Sequence, residues 1–382
     1  MKKFRNTFDF ALIAALCLAI AGCGKQPKGN IEPNPIDHTR TVTITDMGGN
    51  TVTINGEVKR IVNLWPSVTA GLFSLGAGDL IVGMTIPGPS LGAWSHFLYP
   101  NSVNIPGLGG GATPTVEDLI KWDPDLVICA ASSASTGFPQ QLNAVGIPAI
   151  VLKLDSYEQM KEGWSILGEI LGGEYQKKIR DWCDEVDTRL ANVRKLTAGI
   201  ADTDRPVVFQ NSHGALITTT WGMNSPQADS IESAGGIFAS RRLQLKGADV
   251  TAEAIFALNP DVILFGGNST AHVYKYTAEN TPGWQDLNAV KNGRVYINPS
   301  GFHSWECFGV ECLLQINYAL FRIHPEIAAA NGINYETLID ELIAFYGKYA
   351  GVQMTRQVAG YMFDGLNPDG TMENPPPASS RG

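Results

Sequence analysis

Residues 115–128 (TVEDLIKWDPDLVI) and 251–264 (TAEAIFALNPDVIL) are two copies of one pattern, separated by a constant offset of 136 residues. Thr, Glu, Pro and Asp coincide in the two copies, and so do the apolar positions that a helix and a strand would bury. Each copy predicts a helix, a stop marked by proline and a buried strand. The repeat therefore predicts two related α/β lobes within one chain.

Short apolar strands surround both copies. A hairpin is predicted from the alternating residues at 41–46 and 51–54. Strands are predicted at 61–64, 81–84, 126–130, 149–152, 207–210 and 295–297. Because short apolar strands that alternate with helices are typical of parallel sheets covered on both faces, we expect an α/β fold. We place the first lobe at 41–155, a bridging helix at 156–200, interrupted only at Gly172 and Gly173, and the second lobe at 201–365.

The N-terminus has the pattern of an export signal. A basic start precedes an apolar stretch at 10–20, and Ile20-Ala21-Gly22-Cys23 resembles a bacterial lipobox, in which the cysteine is lipidated. We therefore expect a signal peptide at 1–22, lipidation of Cys23, a flexible tether at 23–40 and a disordered tail at 366–382. The alternatives are a secretory signal cleaved nearby and a short membrane anchor.

Composition excludes several classes of protein. The chain has 382 residues, of which 44% are hydrophobic and 17% charged, enough apolar material for sizeable cores. A net charge of −9 argues against a nucleic-acid-binding protein, which needs a basic surface to displace counterions. Since no apolar run reaches the roughly 18–20 residues of an uninterrupted bilayer span, a channel or multispan carrier is excluded.

Several further stretches carry a resemblance to a known family. They are ITDMGGNTVTI at 44–54, KRIVNLWPSVTAGLFSLGAGDLIVGM at 59–84, ADSIESAGGIF at 228–238, TPGWQDLNAVKNGRVYINPSG at 281–301 and HPE at 324–326. Together with the repeat, their order and spacing resemble the substrate-binding lipoproteins of ABC importers for iron–siderophore complexes, haem and cobalamin. The resemblance implies two similar α/β lobes with parallel sheets, bridged by a single long helix, with the ligand cleft between the lobes.

The resemblance also implies a function. We expect a monomeric binding protein, not an enzyme, that has no intrinsic cofactor and lies at the extracytoplasmic face of a bacterial membrane. It would capture a metal chelate, first an iron–siderophore complex and otherwise a corrinoid or haem, and deliver it to a permease dimer with a cytoplasmic ATPase. The cobalamin-binding members engage permease arginines through one glutamate per lobe, which implies Glu117 and Glu253 here. The alternative is that both glutamates only stabilise a helix start.

Candidate ligand-binding residues follow the predicted strands, because ligands of parallel α/β sheets bind at the carboxyl ends of strands. They are Trp65, Trp94, His96, His213, Trp221, Arg241, Arg242, His303 and Trp305. As a group they predict an aromatic cleft suited to a large flat or chelated ligand, with the arginines pairing with its carboxylates or phenolates. Individually, each has the alternative of being a core or surface residue.

Other chemistries compete with this interpretation. A direct transition-metal site would use His303 and Glu306, near Cys307, Glu311 and Cys312, although their spacing matches no closed zinc pattern. A haem would take His213 or His303 as axial ligand. The sequence GPSLG at 88–92 matches the nucleophile motif of serine hydrolases with Ser90, but it lacks a clear following helix.

Overall fold

The computed structural model describes residues 40–108, 114–212, 218–247, 249–267 and 271–372. The described chain begins with the antiparallel hairpin of strands β1 (Thr41–Thr45) and β2 (Thr51–Asn55), in which Thr43 lies opposite Thr53. Its alternating pattern leaves one face buried and one exposed, as the sequence predicts.

The first lobe is built on a parallel sheet with the strand order β4-β3-β5-β6. The strands are β3 (Ile61–Asn63), β4 (Ile81–Met84), β5 (Leu126–Ala130) and β6 (Ala149–Leu152). The helices of this lobe are α1 (Pro66–Ser74), α2 (Ala93–Leu98), α3 (Val116–Ile120), α4 (Ala131–Ala134) and α5 (Phe138–Ala144). Strands β3 and β6 are buried along their whole length, which is why they read as uninterrupted apolar runs apart from Asn63.

Two helices connect the lobes, α6 (Tyr157–Leu171) and α7 (Gly173–Thr197). Gly172 and Gly173 have φ angles of 68° and 51°, and the chain reverses there, so that Lys161 of α6 pairs with Asp187 of α7 at 2.5 Å. Helix α7 contacts one lobe near each of its ends. Near its start, Lys178 donates to the carbonyl of Leu75 in the first lobe at 3.0 Å.

The second lobe repeats the topology of the first. Its parallel sheet has the order β8-β7-β9-β10, formed by β7 (Val207–Asn211), β8 (Ile237–Phe238), β9 (Val262–Phe265) and β10 (Val295–Ile297). Its helices are α8 (Pro226–Ser233), α9 (Ala239–Arg242), α10 (Ala252–Leu258), α11 (Ala271–Glu279) and α12 (Asn288–Lys291). Near the end of α7, Arg194 donates to Ser233 of this lobe at 3.1 Å. The predicted class, two similar α/β lobes bridged by a long helix, is confirmed.

The repeat has the same geometry in both lobes. Asp123 and Asn259, at equivalent positions, both adopt left-handed backbone conformations, with φ of 46° and 49°. Two residues later, the side chains of Asp125 and Asp261 accept backbone N–H groups at the start of the neighbouring strand, from Arg60 at 2.9 Å and Val207 at 2.9 Å. The aspartate of each copy therefore ties the central strand pair together.

The chain after β10 adds helices to this core. They are α13 (Cys312–Ile323), α14 (Pro325–Ala330), α15 (Tyr335–Phe345) and α16 (Arg356–Phe363). Residues 366–372 were expected to belong to a disordered tail, but they form a hydrogen-bonded turn in which Asn367 N–H donates to the Thr371 carbonyl at 2.7 Å. In the described part of the chain, no helix combines the length and hydropathy needed to cross a bilayer.

Candidate functional site

A cavity of about 630 Å³ opens where the carboxyl ends of the two sheets face each other. Its lining combines aromatic side chains with small and polar residues, and comes from the segments after β3, β4, β7, β9 and β10 and from residues 365–367. The aromatic and histidine side chains that line it are Trp65, Trp94, Trp221, His272, Tyr274, Phe302, His303 and Phe308. Among the described residues on this lining, none is Asp, Glu, Lys or Arg.

Trp65 is positioned by the end of strand β3. The buried side chain of Asn63 donates to the Trp65 carbonyl at 2.6 Å and to Thr69 Oγ1 at 2.6 Å. In return the Trp65 N–H donates to Asn63 Oδ1 at 3.3 Å. The turn from β3 into α1 is therefore fixed by one polar side chain, and it presents the indole to the cavity.

An aromatic cluster joins the two lobes at the cavity. Phe308 lies with its ring centroid 6.0 Å from that of Trp65 and 6.0 Å from that of Trp221. The backbone of Trp221 is fixed by Ser240, whose Oγ donates to the Trp221 carbonyl at 2.6 Å. Trp65 follows a strand of the first lobe and Trp221 a strand of the second, so a ligand in the cavity has aromatic surface on both sides.

The loop after β10 is organised by the buried carboxylate of Glu311. Its Oε1 accepts the Phe302 N–H at 2.9 Å and its Oε2 accepts the His303 N–H at 2.7 Å. The hydroxyl of Tyr346 also donates to Oε1. Burial raises the pKa of Glu311 to about 7, partly offset by these three donors. Glu311 therefore fixes the backbone that carries two cavity residues.

A second buried carboxylate, Glu306, supports the same wall. Its Oε1 accepts the Gly267 N–H at 3.1 Å and its Oε2 accepts Asn298 Nδ2 at 3.0 Å. Burial raises the pKa of Glu306 to about 7 as well. Since Glu306 is only 2% exposed and its oxygens are engaged by the protein, it is not presented to the cavity. Within the described ranges, no group of three His, Cys, Asp or Glu side chains is arranged to hold a metal ion.

The structure brings together four of the residues predicted to bind ligand, namely Trp65, Trp94, Trp221 and His303. Trp305 is instead a core residue, 1% exposed, with its ring 6.1 Å from Tyr318. In this loop, residues 300–304 and 307–308 line the cavity, whereas residues 305–306 are buried in the core, and the sequence does not show this division.

Three other predicted residues lie off the cavity lining. His96 is on α2, and its Nε2 is 2.9 Å from the Gly88 carbonyl. Arg241 makes two 2.9 Å contacts with the carboxylate of Glu232 on α8, and the neighbouring Arg242 is exposed on α9. Both arginines therefore lie at the surface, and Arg241 forms an ion pair there that the sequence spacing did not predict. His213 lies outside the described residues.

Sequence reasoning missed several cavity residues. His272 and Tyr274 belong to α11, which follows β9, so the rule that loops after strands carry the site would have found them. Phe302 lies in a loop that the prediction used only for its histidine and tryptophan, and Phe308 lies six residues further on. No sequence pattern marked Leu366 as a cavity residue, because it lies beyond the predicted lobes in what was expected to be a tail.

Glu117 and Glu253 occupy equivalent places at the outer surface of the two lobes. Each is an exposed residue in the first turn of its helix, α3 or α10. Thr115 and Asp118 form the capping box of α3, and Thr251 caps α10. Among the described residues, neither glutamate has a salt-bridge partner, so other side chains cap the two helices.

Comparison with known proteins places the chain in a family. The model of the periplasmic binding protein family matches residues 61–301, more than half of the chain. The chain therefore belongs to the periplasmic binding protein family. Its members are transport components and not enzymes, which confirms that expectation. Ser90 lies at the end of a short 3-10 turn (Gly88–Ser90), not on a sharp turn from strand to helix.

Individual proteins extend this assignment. The chain is 31% identical over 302 residues to an uncharacterized ABC transporter substrate-binding lipoprotein of Bacillus subtilis, covering 78% of this chain and 90% of the relative. A cobalamin-binding protein of Halobacterium salinarum is 26% identical over 280 residues, covering 69% of each chain. The fold is similar to that of a periplasmic solute binding protein from Veillonella parvula, with a TM-score of 0.69 at 23% identity, over 88% of this chain and 99% of that one. The chain is thus similar to substrate-binding proteins of ABC transporters.

Proposed function

We propose that this protein captures a metal chelate with a largely uncharged periphery, a corrinoid first of all, and delivers it to an ABC importer. The observation that carries the proposal is the cavity lining, which is aromatic on both lobes and carries no acid or strong base among its described residues. Flat apolar ring systems stack on such side chains. A highly charged chelate would instead require arginines or lysines at the site.

This proposal differs from the order given by the resemblance alone, which placed iron–siderophore complexes first. The arginines that would pair with an acidic chelator, Arg241 and Arg242, lie off the lining. The cobalamin-binding relative adds support for a corrinoid.

A bare metal ion fits the site less well. The cavity volume of about 630 Å³ falls in the range of roughly 300–1,000 Å³ that holds organic ligands. Of the proposed metal ligands, His303 lies on the lining, whereas Glu306 is enclosed by protein donors. Both observations support a chelate over an ion bound directly by side chains.

Calorimetric titration tests the ligand class. Cyanocobalamin should bind, whereas a ferric hydroxamate and haemin should bind more weakly or not at all. Trp65→Ala and Trp221→Ala should each weaken cyanocobalamin binding about fivefold, since a stacked aromatic ring contributes about 1 kcal/mol. Tyr335→Ala, which removes a ring that is 38% exposed and off the lining, is the control. If only the ferric hydroxamate binds, the ligand class is an iron chelate and not a corrinoid. If none of the three compounds binds, the proposal is refuted.

We further propose that the mature chain is anchored through a lipid on Cys23 at the extracytoplasmic face of the membrane. The relative from Bacillus subtilis is itself named a lipoprotein, and two acyl chains suffice for stable attachment. Cys23→Ala should leave an unprocessed precursor or release the protein, as seen by membrane fractionation and mass of the N-terminal peptide. Cys17→Ala, within the apolar stretch, should behave like the wild type. Normal processing and retention of Cys23→Ala would exclude this anchor.

Glu117 and Glu253 are proposed to dock the protein on its permease. Their support is the equivalent placement in two lobes of identical strand order, with exposed carboxylates that the capping side chains leave available. Two like charges on two lobes fit a permease dimer that presents one basic group per subunit.

A further inference from the structure

The chain beyond the family-matched region returns to the cavity. The family model ends at residue 301, and α16 ends at Phe363. Directly afterwards, Gly365, Leu366 and Asn367 line the same cavity as Trp65 and Trp221. We call residues 365–372 the C-terminal strap.

The strap is attached to both lobes. Trp94 Nε1, on α2 of the first lobe, donates to the Leu366 carbonyl at 2.8 Å. His272 Nε2, on α11 of the second lobe, lies 2.9 Å from the Gly365 carbonyl. Consecutive backbone carbonyls of the strap are therefore held by side chains from opposite sides of the cavity. This segment thus connects the two lobes at the ligand site itself.

The strap also has a defined conformation of its own. The Leu366 N–H donates to the Tyr361 carbonyl at 2.8 Å, which continues the end of α16. Gly365 has a φ of 72°, which favours glycine, and a Cβ there would lie 3.3 Å from Ile297 Cγ2. Beyond Leu366, the bond from Asn367 N–H to the Thr371 carbonyl closes a turn. The strap is thus preorganised against the cavity wall.

We propose that the C-terminal strap is a ligand-contacting wall and that Leu366 is a specificity-determining residue of the site. The proposal rests on the proposed function and names a part of the site that lies outside the family-matched region. Leu366 adds a large aliphatic side chain to the cavity lining, and its backbone carbonyl is hydrogen-bonded to Trp94, which lines the same cavity. Because the strap is held through its backbone carbonyls, the Leu366 side chain can change without loss of either anchor.

Two truncations separate the strap from the rest of the C-terminus. A chain ending at Met372 keeps the strap, and a chain ending at Asp364 removes it while retaining α16. With cyanocobalamin as probe, the chain ending at Met372 should bind like the full chain, and the chain ending at Asp364 should bind at least about tenfold more weakly. Thermal melting followed by circular dichroism verifies that both chains fold.

Point variants test specificity without shortening the chain. The probes are cyanocobalamin and dicyanocobinamide, a corrinoid that lacks the nucleotide arm. Leu366→Trp fills part of the cavity and should weaken the larger probe several times more than the smaller one. Met372→Trp places the same side chain at a strap position that is 45% exposed and off the lining, and it should change neither affinity.

A measurement without ligand makes the strap testable by itself. Hydroxyl-radical footprinting should show Trp94, 8% exposed in the full chain, oxidised severalfold faster in the chain ending at Asp364 and unchanged in the chain ending at Met372. If Trp94 is oxidised at the same rate in the chain ending at Asp364 as in the full chain, the strap is not a wall of the site. That result would overturn the proposal whether or not any corrinoid binds. Equal effects of Leu366→Trp on the two corrinoids would overturn the role in specificity. If no chelate binds the full chain, the proposed function fails, and footprinting still decides whether the strap covers the site.

Discussion

Replacing both Glu117 and Glu253 by alanine should reduce chelate uptake to nearly the background of cells without the protein, while ligand affinity stays unchanged. Single replacements should each reduce uptake several-fold, because one lobe still engages the permease. The expected loss is large because, in the proposed docked complex, two charge pairs would act together, and each would be worth more there than on an exposed surface.

The structure separates this outcome from a simple loss of helix stability. In α3 the helix start is fixed by Thr115, which accepts the Asp118 N–H at 3.2 Å, and Asp118 in turn pairs with Lys121 at 3.1 Å. Glu117 takes no part in this arrangement. Its truncation should therefore cost only a few tenths of a kcal/mol of folding free energy, the usual contribution of an exposed carboxylate near a helix start.

The matched control is Glu326→Ala, which removes another exposed first-turn glutamate, in α14 and outside both repeat copies. Uptake of labelled cyanocobalamin, calorimetric affinity and association with the detergent-solubilised permease are measured for all variants. Wild-type association should weaken as salt rises, since exposed pairs are screened. Normal uptake by the double variant would leave the two glutamates as helix-start residues and place the permease contact elsewhere.

The architecture could be predicted well from sequence because both lobes carry the same repeated sequence pattern. The Pro-Asp of each repeat copy marks the same event in both lobes, a left-handed turn before a buried central strand. Fully apolar runs identified β5 and β6 to the residue. Gly172-Gly173 marked the break between α6 and α7, although the sequence did not show that the chain reverses there.

The site was predicted less completely, for a physical reason. Trp65 and Trp221 are found by the rule that loops after strands carry ligands, but the same rule selects Trp305, which turns into the core. The direction of a loop side chain depends on buried partners such as Glu311, which fixes the backbone of residues 302–303 and is itself hydrogen-bonded to the distant Tyr346. The strap could not be predicted, because its anchors, Trp94 and His272, are distant in sequence.

The two buried glutamates behind the cavity should make the protein more stable in mildly acidic than in basic solution. Burial raises the pKa of Glu306 and of Glu311 to about 7, whereas a glutamate in the unfolded chain titrates near about 4.3. Between these values the folded state binds more protons. The stabilisation is therefore fully present below the unfolded pKa, falls as pH rises through about 7, and then levels off. Each group contributes a few kcal/mol across this window.

Substitution by glutamine should separate the two residues. In Glu306→Gln, the amide oxygen can still accept the Gly267 N–H, and the new NH₂ group can donate to Asn298 once that amide inverts. Asn298 Nδ2 also donates to Gln315 Oε1 at 3.3 Å, so the Gln315 amide must invert with it. Both inversions are feasible because Asn298 Oδ1 and Gln315 Nε2 have no hydrogen-bond partner among the described residues. We expect Glu306→Gln to exceed the wild type by about 1–2 kcal/mol already near pH 5.5, by about 3–4 kcal/mol near pH 8.5, and to lose about half of the pH dependence.

Glu311→Gln should behave differently, because both carboxylate oxygens of Glu311 accept backbone N–H groups, from Phe302 and His303, and these cannot invert. An amide NH₂ would face one of these N–H groups, so the free energy of unfolding of this variant should fall by about 1–3 kcal/mol at low pH, and the variant should also bind chelate more weakly.

Urea unfolding from pH 5.5 to 8.5 measures all variants, with the exposed Glu326→Gln as control. His324, whose pKa burial lowers, acts in the opposite direction at the acidic end, so the difference between each variant and the wild type is the informative quantity. A Glu306→Gln curve parallel to the wild type, or a Glu311→Gln variant as stable as Glu306→Gln throughout, would contradict these roles.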